Sequence, residues 1–295
     1  MSSLPGDLTD SLRRRLPGAG EDGSALGDFR PVSGGCIHRA GVLDTKGGPV
    51  FLKWNQGEAA TGFTSEARAL STLRDAAGDE GLLDVPRVLD AWDAAGEDEP
   101  GWLVLEYLPP SPAEEDHGER LGRGLARLHG HSAPRFGWPE TNRIGPLPQE
   151  NPARERWAEF WVDARLLPQL RAARDTGALG PDDVRLVERV VQLADVALEP
   201  LAADPPALIH GDLWSGNVHP GPRGRPVLVD PAACYGHGEV DLAMARLFGG
   251  FPEETFEAYQ DETPLADGFD EVRLPLYQLF YLLVHVRLFG AGYRS

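Results

Sequence analysis

The chain is short of positive charge, and of lysine above all. Its 295 residues carry 28 Lys and Arg against 46 Asp and Glu, a formal net charge of −18, and the only lysines are Lys46 and Lys53. A surface this acidic repels phosphate backbones and anionic lipid, which excludes general nucleic-acid or membrane-surface binding. A small anionic ligand is not excluded, because backbone amides, a few cations and metal ions hold one locally. Cysteine is scarce too. Cys36 and Cys234 lie far apart and supply no disulfide framework, so reduced thiols in a cytoplasmic protein are expected. The first residues lack the apolar core of a signal peptide, and the strongest late apolar run, Leu274–Phe289, is too short to span a bilayer and contains Pro275, His285 and Arg287. Zinc-spaced Cys/His clusters, a Gly-x-Ser-x-Gly elbow and internal repeats are all missing. A soluble intracellular protein is the expectation.

What is present reads as two unequal lobes, in line with a length of about two domains. Residues 29–32, 38–43, 50–54 and 102–107 are β-like and bounded by Gly, Pro and Asp, with 38–43 and 50–54 forming a hairpin. Residues 64–75 have helical spacing at Ala67, Leu70 and Leu73. Beyond Pro109 the texture turns helical, at 115–131, 152–176 and 181–201. A strand–loop–strand region follows at 207–230, then more helix from 240 to 289. The expected fold is α+β: a small antiparallel β-rich lobe, 1–109, that binds nucleotide, and a larger helical lobe, 110–295, that carries catalysis and substrate.

Lys53 stands out because the chain otherwise avoids lysine, yet it sits inside the apolar run Val50-Phe51-Leu52-Lys53-Trp54. Lys46, in a Gly-rich turn, needs no explanation. The densest chemistry lies in Ala207-Leu208-Ile209-His210-Gly211-Asp212-Leu213-Trp214-Ser215-Gly216-Asn217-Val218, with Asp230 ending the next apolar strand. Phosphoryl transfer needs such a set. One carboxylate takes the proton of the attacking hydroxyl, while an amide oxygen and a second carboxylate hold Mg²⁺ against the phosphates. The step from Asp212 to Asn217 equals the Asp-to-Asn step of the protein-kinase catalytic loop. A strand lysine in such enzymes reaches phosphates and is held by a helix glutamate, for which Glu66 is the candidate. Gly34, Gly35 and Cys36 lie where a phosphate-covering hairpin belongs, and paired glycines bare backbone N–H groups to phosphate oxygens. His210 reads as structural, Asp241 as a brace for the loop and His285 as core.

Together, His210-Gly-Asp-Leu-Trp-Ser-Gly-Asn217, Asp230-Pro-Ala and Gly236-His-Gly-Glu-Val-Asp-Leu-Ala-Met244 resemble the fructosamine kinase (ketosamine-3-kinase) family. That family belongs to the protein-kinase-like superfamily of aminoglycoside and choline phosphotransferases. Leu121-Gly-Arg-Gly-Leu-Ala-Arg-Leu-His129, Asn142-Arg-Ile-Gly145, Gln149-Glu-Asn-Pro152 and Arg165-Leu-Leu-Pro168 are similar too, so the resemblance runs from about residue 30 to the end. It implies a two-lobed kinase-like fold and ATP- and Mg²⁺-dependent phosphorylation of the C3 hydroxyl of ketosamines, a small-molecule substrate. The product is unstable and releases the amine. On this resemblance Asp212 is the base, Asn217 and Asp230 hold the metal, Lys53 braced by Glu66 binds phosphate, and the backbone of Leu105, Glu106 and Tyr107 meets adenine. Trp214, next to the base, is the candidate platform for the sugar. A kinase for another hydroxyl, such as an aminoglycoside or choline, and a nucleotide-binding pseudokinase are the alternatives. Joint retention of Lys53, Asp212, Asn217 and Asp230 argues against the pseudokinase.

Overall fold

Strand alternation divides the first hundred residues into two buried faces. The computed structural model describes residues 4–16, 26–32, 38–96, 98–290 and 292; Gly34, Gly35 and Cys36 lie outside the described residues. Strands β1 (Leu26–Pro31), β2 (Arg39–Thr45), β3 (Gly48–Gln56), β4 (Val88–Trp92) and β5 (Pro100–Glu106) form an antiparallel sheet in the order β1-β2-β3-β5-β4. The expected hairpin is β2–β3, which pairs from Arg39↔Trp54 to Thr45↔Gly48.

Successive side chains of a strand point to opposite faces. Leu52, Trp54, Trp102 and Val104 therefore share one face, where they pack with Phe29, Leu43 and the fully buried Leu8 and Leu12. The last two belong to helix α1 (Gly6–Arg15), whose i, i+4 pair forms its apolar stripe. The sequence reading did not anticipate this helix.

The other face carries Phe51, Lys53, Leu103 and Leu105. It packs against helix α2 (Phe63–Ala77), which contributes Phe63, Ala67, Leu70 and Leu73. Asp93, just beyond β4, anchors the start of α2 by accepting a 2.7 Å hydrogen bond from the Phe63 amide, with its carboxylate at the positive end of the helix. Lys53 thus looks from the sheet toward the first turn of α2, where Glu66 lies.

The remaining chain is mostly helical. Helices α3 (His117–His129), α6 (Pro181–Leu198), α7 (Glu239–Phe248), α8 (Glu253–Glu262) and α9 (Leu274–Phe289) are joined by α4 (Trp157–Trp161) and α5 (Leu167–Asp175). The last two are continuous through a π-helical turn, Val162–Leu166. The expected helix at 152–176 begins only at Trp157, and the expected helical stretch from 240 to 289 is broken at Gly249-Gly250 and again after Glu262. Helix α9 is apolar almost all round and lies in the core, with Tyr277, Phe280 and Tyr281 buried beside Trp157 and Trp161. Among the described residues no helix is long and apolar enough to cross a membrane.

Two short antiparallel ribbons place the polar loops. Strand β8 (Ala207–Ile209) pairs with β11 (Cys234–Gly236), and β9 (Val218–Pro220) pairs with β10 (Pro226–Leu228). The segments 210–217 and 229–233 are therefore held side by side. A further hairpin, β6 (Asn142–Ile144) with β7 (Leu147–Gln149), was not anticipated as structure.

Leu12 carries much of the α1 contact. Leu12→Ala should lower unfolding free energy by about 2–3 kcal/mol, the low end for a buried leucine near a protein edge. A urea titration that leaves the midpoint unchanged would show α1 to be dispensable.

Candidate active site

The site is built around Lys53. Its ammonium donates to Glu66 Oε1 at 2.7 Å and to Asp230 Oδ1 at 2.7 Å, so one cation joins sheet, helix α2 and the segment after β10. Lys53 is buried, Glu66 is largely so, and the Asp230 side chain is about half exposed, at 48%. Burial pulls the lysine down, but Asp230 and Glu66 more than offset it, and the ammonium is held above its usual range. Burial likewise opposes Asp230, yet Lys53 holds that carboxyl below the usual carboxylate range. Asp230 takes a left-handed backbone, φ 57°, which Asp tolerates better than most residues.

Asp212 lies in a tight turn beside this group. The Asn217 amide nitrogen donates to the Asp212 carbonyl at 2.8 Å, to Asp212 Oδ2 at 3.2 Å and to the Asp230 carbonyl at 3.4 Å. With that nitrogen engaged, the opposite end of the Asn217 side chain is its oxygen, the end that a cation takes. Burial, and then the charge of Asp230, raise Asp212 to about 7, with Asn217 pulling the other way. A carboxyl poised there is a proton acceptor at neutral pH.

The strand entering the loop is braced from below. Asp241 is fully buried and accepts from the amides of His210 at 2.7 Å and Gly211 at 2.8 Å, and pairs with His129 Nε2 at 3.1 Å. Tyr259 Oη lies 2.8 Å from the other His129 ring nitrogen, and Tyr281 Oη donates to the Gly211 carbonyl at 2.8 Å. Gly211 sits at φ +82°, where a Cβ would come within 2.2 Å of the Ala232 carbonyl oxygen, so no other residue fits. His210 Nε2 donates to the Val229 carbonyl at 3.0 Å while Nδ1 accepts from the Asp212 amide at 3.3 Å. It is a structural link, as its sequence context suggested.

Trp214 is 41% exposed, and its indole lies over Gly216, where a Cβ would come within 2.2 Å of the ring. Leu105 is buried in the main core. The Glu106 amide donates to the Arg87 carbonyl at 2.8 Å, so that amide is already engaged.

This arrangement has known counterparts. A family model for fructosamine kinases matches residues 14–295. The chain belongs to the fructosamine kinase family. Mouse ketosamine-3-kinase is 34% identical over 288 residues, covering 89% of this chain and 90% of its own. A Thermobifida fusca crystal structure bearing a provisional fructosamine-3-kinase name is 38% identical, covers 91% of this chain and 90% of its own, and superposes with a TM-score of 0.79. The aminoglycoside phosphotransferase APH(4)-Ia, 17% identical with a TM-score of 0.59, covers 97% of this chain and 96% of its own and shares the fold alone. The fold is the kinase-like, two-lobed α+β fold.

The donor set of this fructosamine kinase chain suits a magnesium nucleotide. Mg²⁺ takes hard oxygen ligands, commonly one or two protein groups with phosphates and water completing the shell. Asp230 and the Asn217 amide oxygen are such a pair, and Lys53 is a cation suited to phosphate. The sequence reading gave no role to His129, Tyr259 or Tyr281, whose partners here lie 70 to 130 residues away along the chain. Burial, and then the charge of Lys53, push His38 down to about 4, so it stands neutral beside the site, its ring 4.7 Å from that of Phe63.

In the ligand-free protein the Asp212 carboxyl carbon should titrate in NMR with a midpoint near 7. Asp230→Asn, which removes the nearest like charge, should move that midpoint down part of the way. A wild-type midpoint in the ordinary carboxylate range would show that burial and Asp230 do not act on Asp212 as described.

Proposed function

We propose that this chain is an ATP-dependent kinase that phosphorylates the 3-hydroxyl of ketosamines of the fructosamine or ribulosamine type, and so frees amines from glycation. The observation that carries the reading is the placement of Asp212, poised near neutrality, beside an acid held by a buried lysine, in a chain of the fructosamine kinase family. The name of the mouse relative supports the choice of acceptor.

The bound magnesium nucleotide supplies the phosphoryl group and the charge that offsets its oxygens. Asp212 accepts the proton of the sugar hydroxyl as that oxygen bonds to the γ-phosphorus and the bond to the ADP oxygen breaks. Asn217 fixes the Asp212 carboxylate through its amide nitrogen, and its amide oxygen, with Asp230, would hold the metal. Lys53 holds phosphate, and Glu66 keeps the ammonium in place when Asp230 turns to the metal. Gly34, Gly35 and Cys36 cover the phosphates, and the backbone around Leu105, Glu106 and Tyr107 meets adenine through groups other than the engaged Glu106 amide. Residues 1–109 thus form the nucleotide-binding lobe, and residues 110–295 carry catalysis and the acceptor. Trp214 offers an exposed indole next to the base, a suitable cover for the C–H face of a sugar.

Turnover on a ketosamine panel, set against aminoglycosides and choline, tests the acceptor, and phosphorylation of the latter alone would overturn it. Asp212→Asn should cut turnover by about 10²–10⁴-fold, the usual contribution of a general base, with Mg-ATP affinity kept within a few-fold. Near-normal turnover would remove Asp212 from the chemistry. Trp214→Ala should raise the KM for ketosamine with little change in that for ATP. Equal damage to both, with a lowered Tm, would mark the indole as a packing residue.

A further inference from the structure

The hairpin β6–β7 touches both halves of the site, and its two sets of contacts are of different kinds. Toward the segment after Asp230 it makes a buried network of polar groups. The Asn142 amide nitrogen donates to the Ala233 carbonyl at 2.8 Å, and that of Gln149 to Asn142 Oδ1 at 3.1 Å and the Ala232 carbonyl at 3.4 Å. Asn151 donates to Asn142 Oδ1 at 2.9 Å and is itself gripped by Arg165 at 2.6 Å. Asn142, Gln149, Asn151 and Arg165 are all buried. Ala232 in turn donates its amide to the His210 carbonyl at 2.9 Å. The network therefore locks the turn that follows Asp230 to the strand that leads to Asp212.

Toward the sheet and α2 the hairpin buries Ile144 in the main core and sends one charged side chain, Arg143. Its guanidinium donates to Thr61 Oγ1 at 2.7 Å and to the Pro146 carbonyl of its own turn at 2.8 Å. Its methylenes lie against Gly62, where a Cβ would be 2.7 Å from Arg143 Cδ, and Gly62 holds φ +94°. Gly62 is the N-cap of α2, and its carbonyl accepts the amide of Glu66 at 3.0 Å. Arg143 thus rests on the residue that starts the turn carrying Glu66. The exposed pair Arg68–Glu140, at 2.8 Å, runs in parallel and adds little.

We infer that the β6–β7 hairpin is a strut across the cleft, and that Arg143 is a positioning residue that sets Glu66 and Lys53 at their working distance from Asp230 and Asp212. The inference rests on the roles proposed above for those four residues. The buried network makes the strut rigid at the catalytic end, and the flexible Arg143 side chain makes it adjustable at the other. When Arg143 is lost, the first turn of α2 is free to drift, and Lys53 is left with a poorly placed Glu66 once Asp230 turns to the metal. Arg143 reaches the start of α2 through Thr61 and Gly62, with its charge also felt at His38, so most of its effect should vanish when its acceptor is already gone.

The experiment is a double-mutant cycle of Arg143→Ala and Thr61→Val, read first by calorimetric titration with Mg-ATP, which needs no acceptor. Arg143→Ala should weaken Mg-ATP binding and lower kcat by about tenfold each, with the ketosamine KM unchanged and Tm within a degree or two. Thr61→Val should have an effect of the same sign, and in the Arg143→Ala background it should add less than twofold. Arg143→Lys, which keeps one donor, should recover part of the loss. Unchanged nucleotide affinity in Arg143→Ala, full additivity of the two changes, or a rise in ketosamine KM alone would each overturn the strut; the last would make Arg143 a substrate contact. A wild type that binds Mg-ATP but leaves every ketosamine untouched would instead overturn the proposed acceptor, and the titration would still decide the strut.

Discussion

Everything at the site depends on one ammonium shared between two carboxylates. Taking a lysine out of water costs several kcal/mol, and the cost is met here only because Glu66 and Asp230 both lie 2.7 Å away. The three groups come from three places in the chain: a sheet strand, a helix and a loop 177 residues from the lysine. Each is held by its own packing, so the contact fixes the sheet and α2 against the segment after β10. It also leaves a residue of negative charge. Asp212, already largely removed from water, feels Asp230 as a like charge, which keeps it near neutrality rather than fully ionised.

A second charge, Asp241, acts from beneath. It is fully buried, and it accepts from two successive backbone amides and pairs with His129. Hydrogen bonds to a charged acceptor are worth more than neutral ones, about 1.5–3 kcal/mol each. Spent on the backbone of His210 and Gly211, they hold the strand end rigid before any ligand arrives, which is what electrostatic preorganisation requires. Gly211 completes the arrangement, because its close approach to Ala232 brings the two segments bearing Asp212 and Asp230 into contact. The β6–β7 network then grips that same Ala232 from the far side.

Local pattern and long-range contact contributed differently to these features. The phase of β3, the scarcity of lysine and the spacing of Asp212, Asn217 and Asp230 are properties of short stretches, so they are legible without coordinates. Alternation alone puts Lys53 on the face opposite Trp54, and helical spacing puts Glu66 on the side of α2 that carries Ala67 and Leu70. By contrast, α1 has only Leu8 and Leu12 as its buried stripe, too little apolar signal to mark it as the cover of a sheet face. The β6–β7 hairpin is built from strands of three residues, below the length at which period-two patterning registers.

The sequence by itself determined the family to which the chain belongs and singled out the groups proposed for its chemistry, because both are read from residue types at fixed spacings. Only the tertiary structure decided their ionisation and their partners. Lys53 pairs with Asp230 as well as Glu66, Asp212 rises to about 7, and Arg143 reaches the start of α2. The reason is physical: charge state follows burial and the nearest charges in space, and neither is a function of distance along the chain.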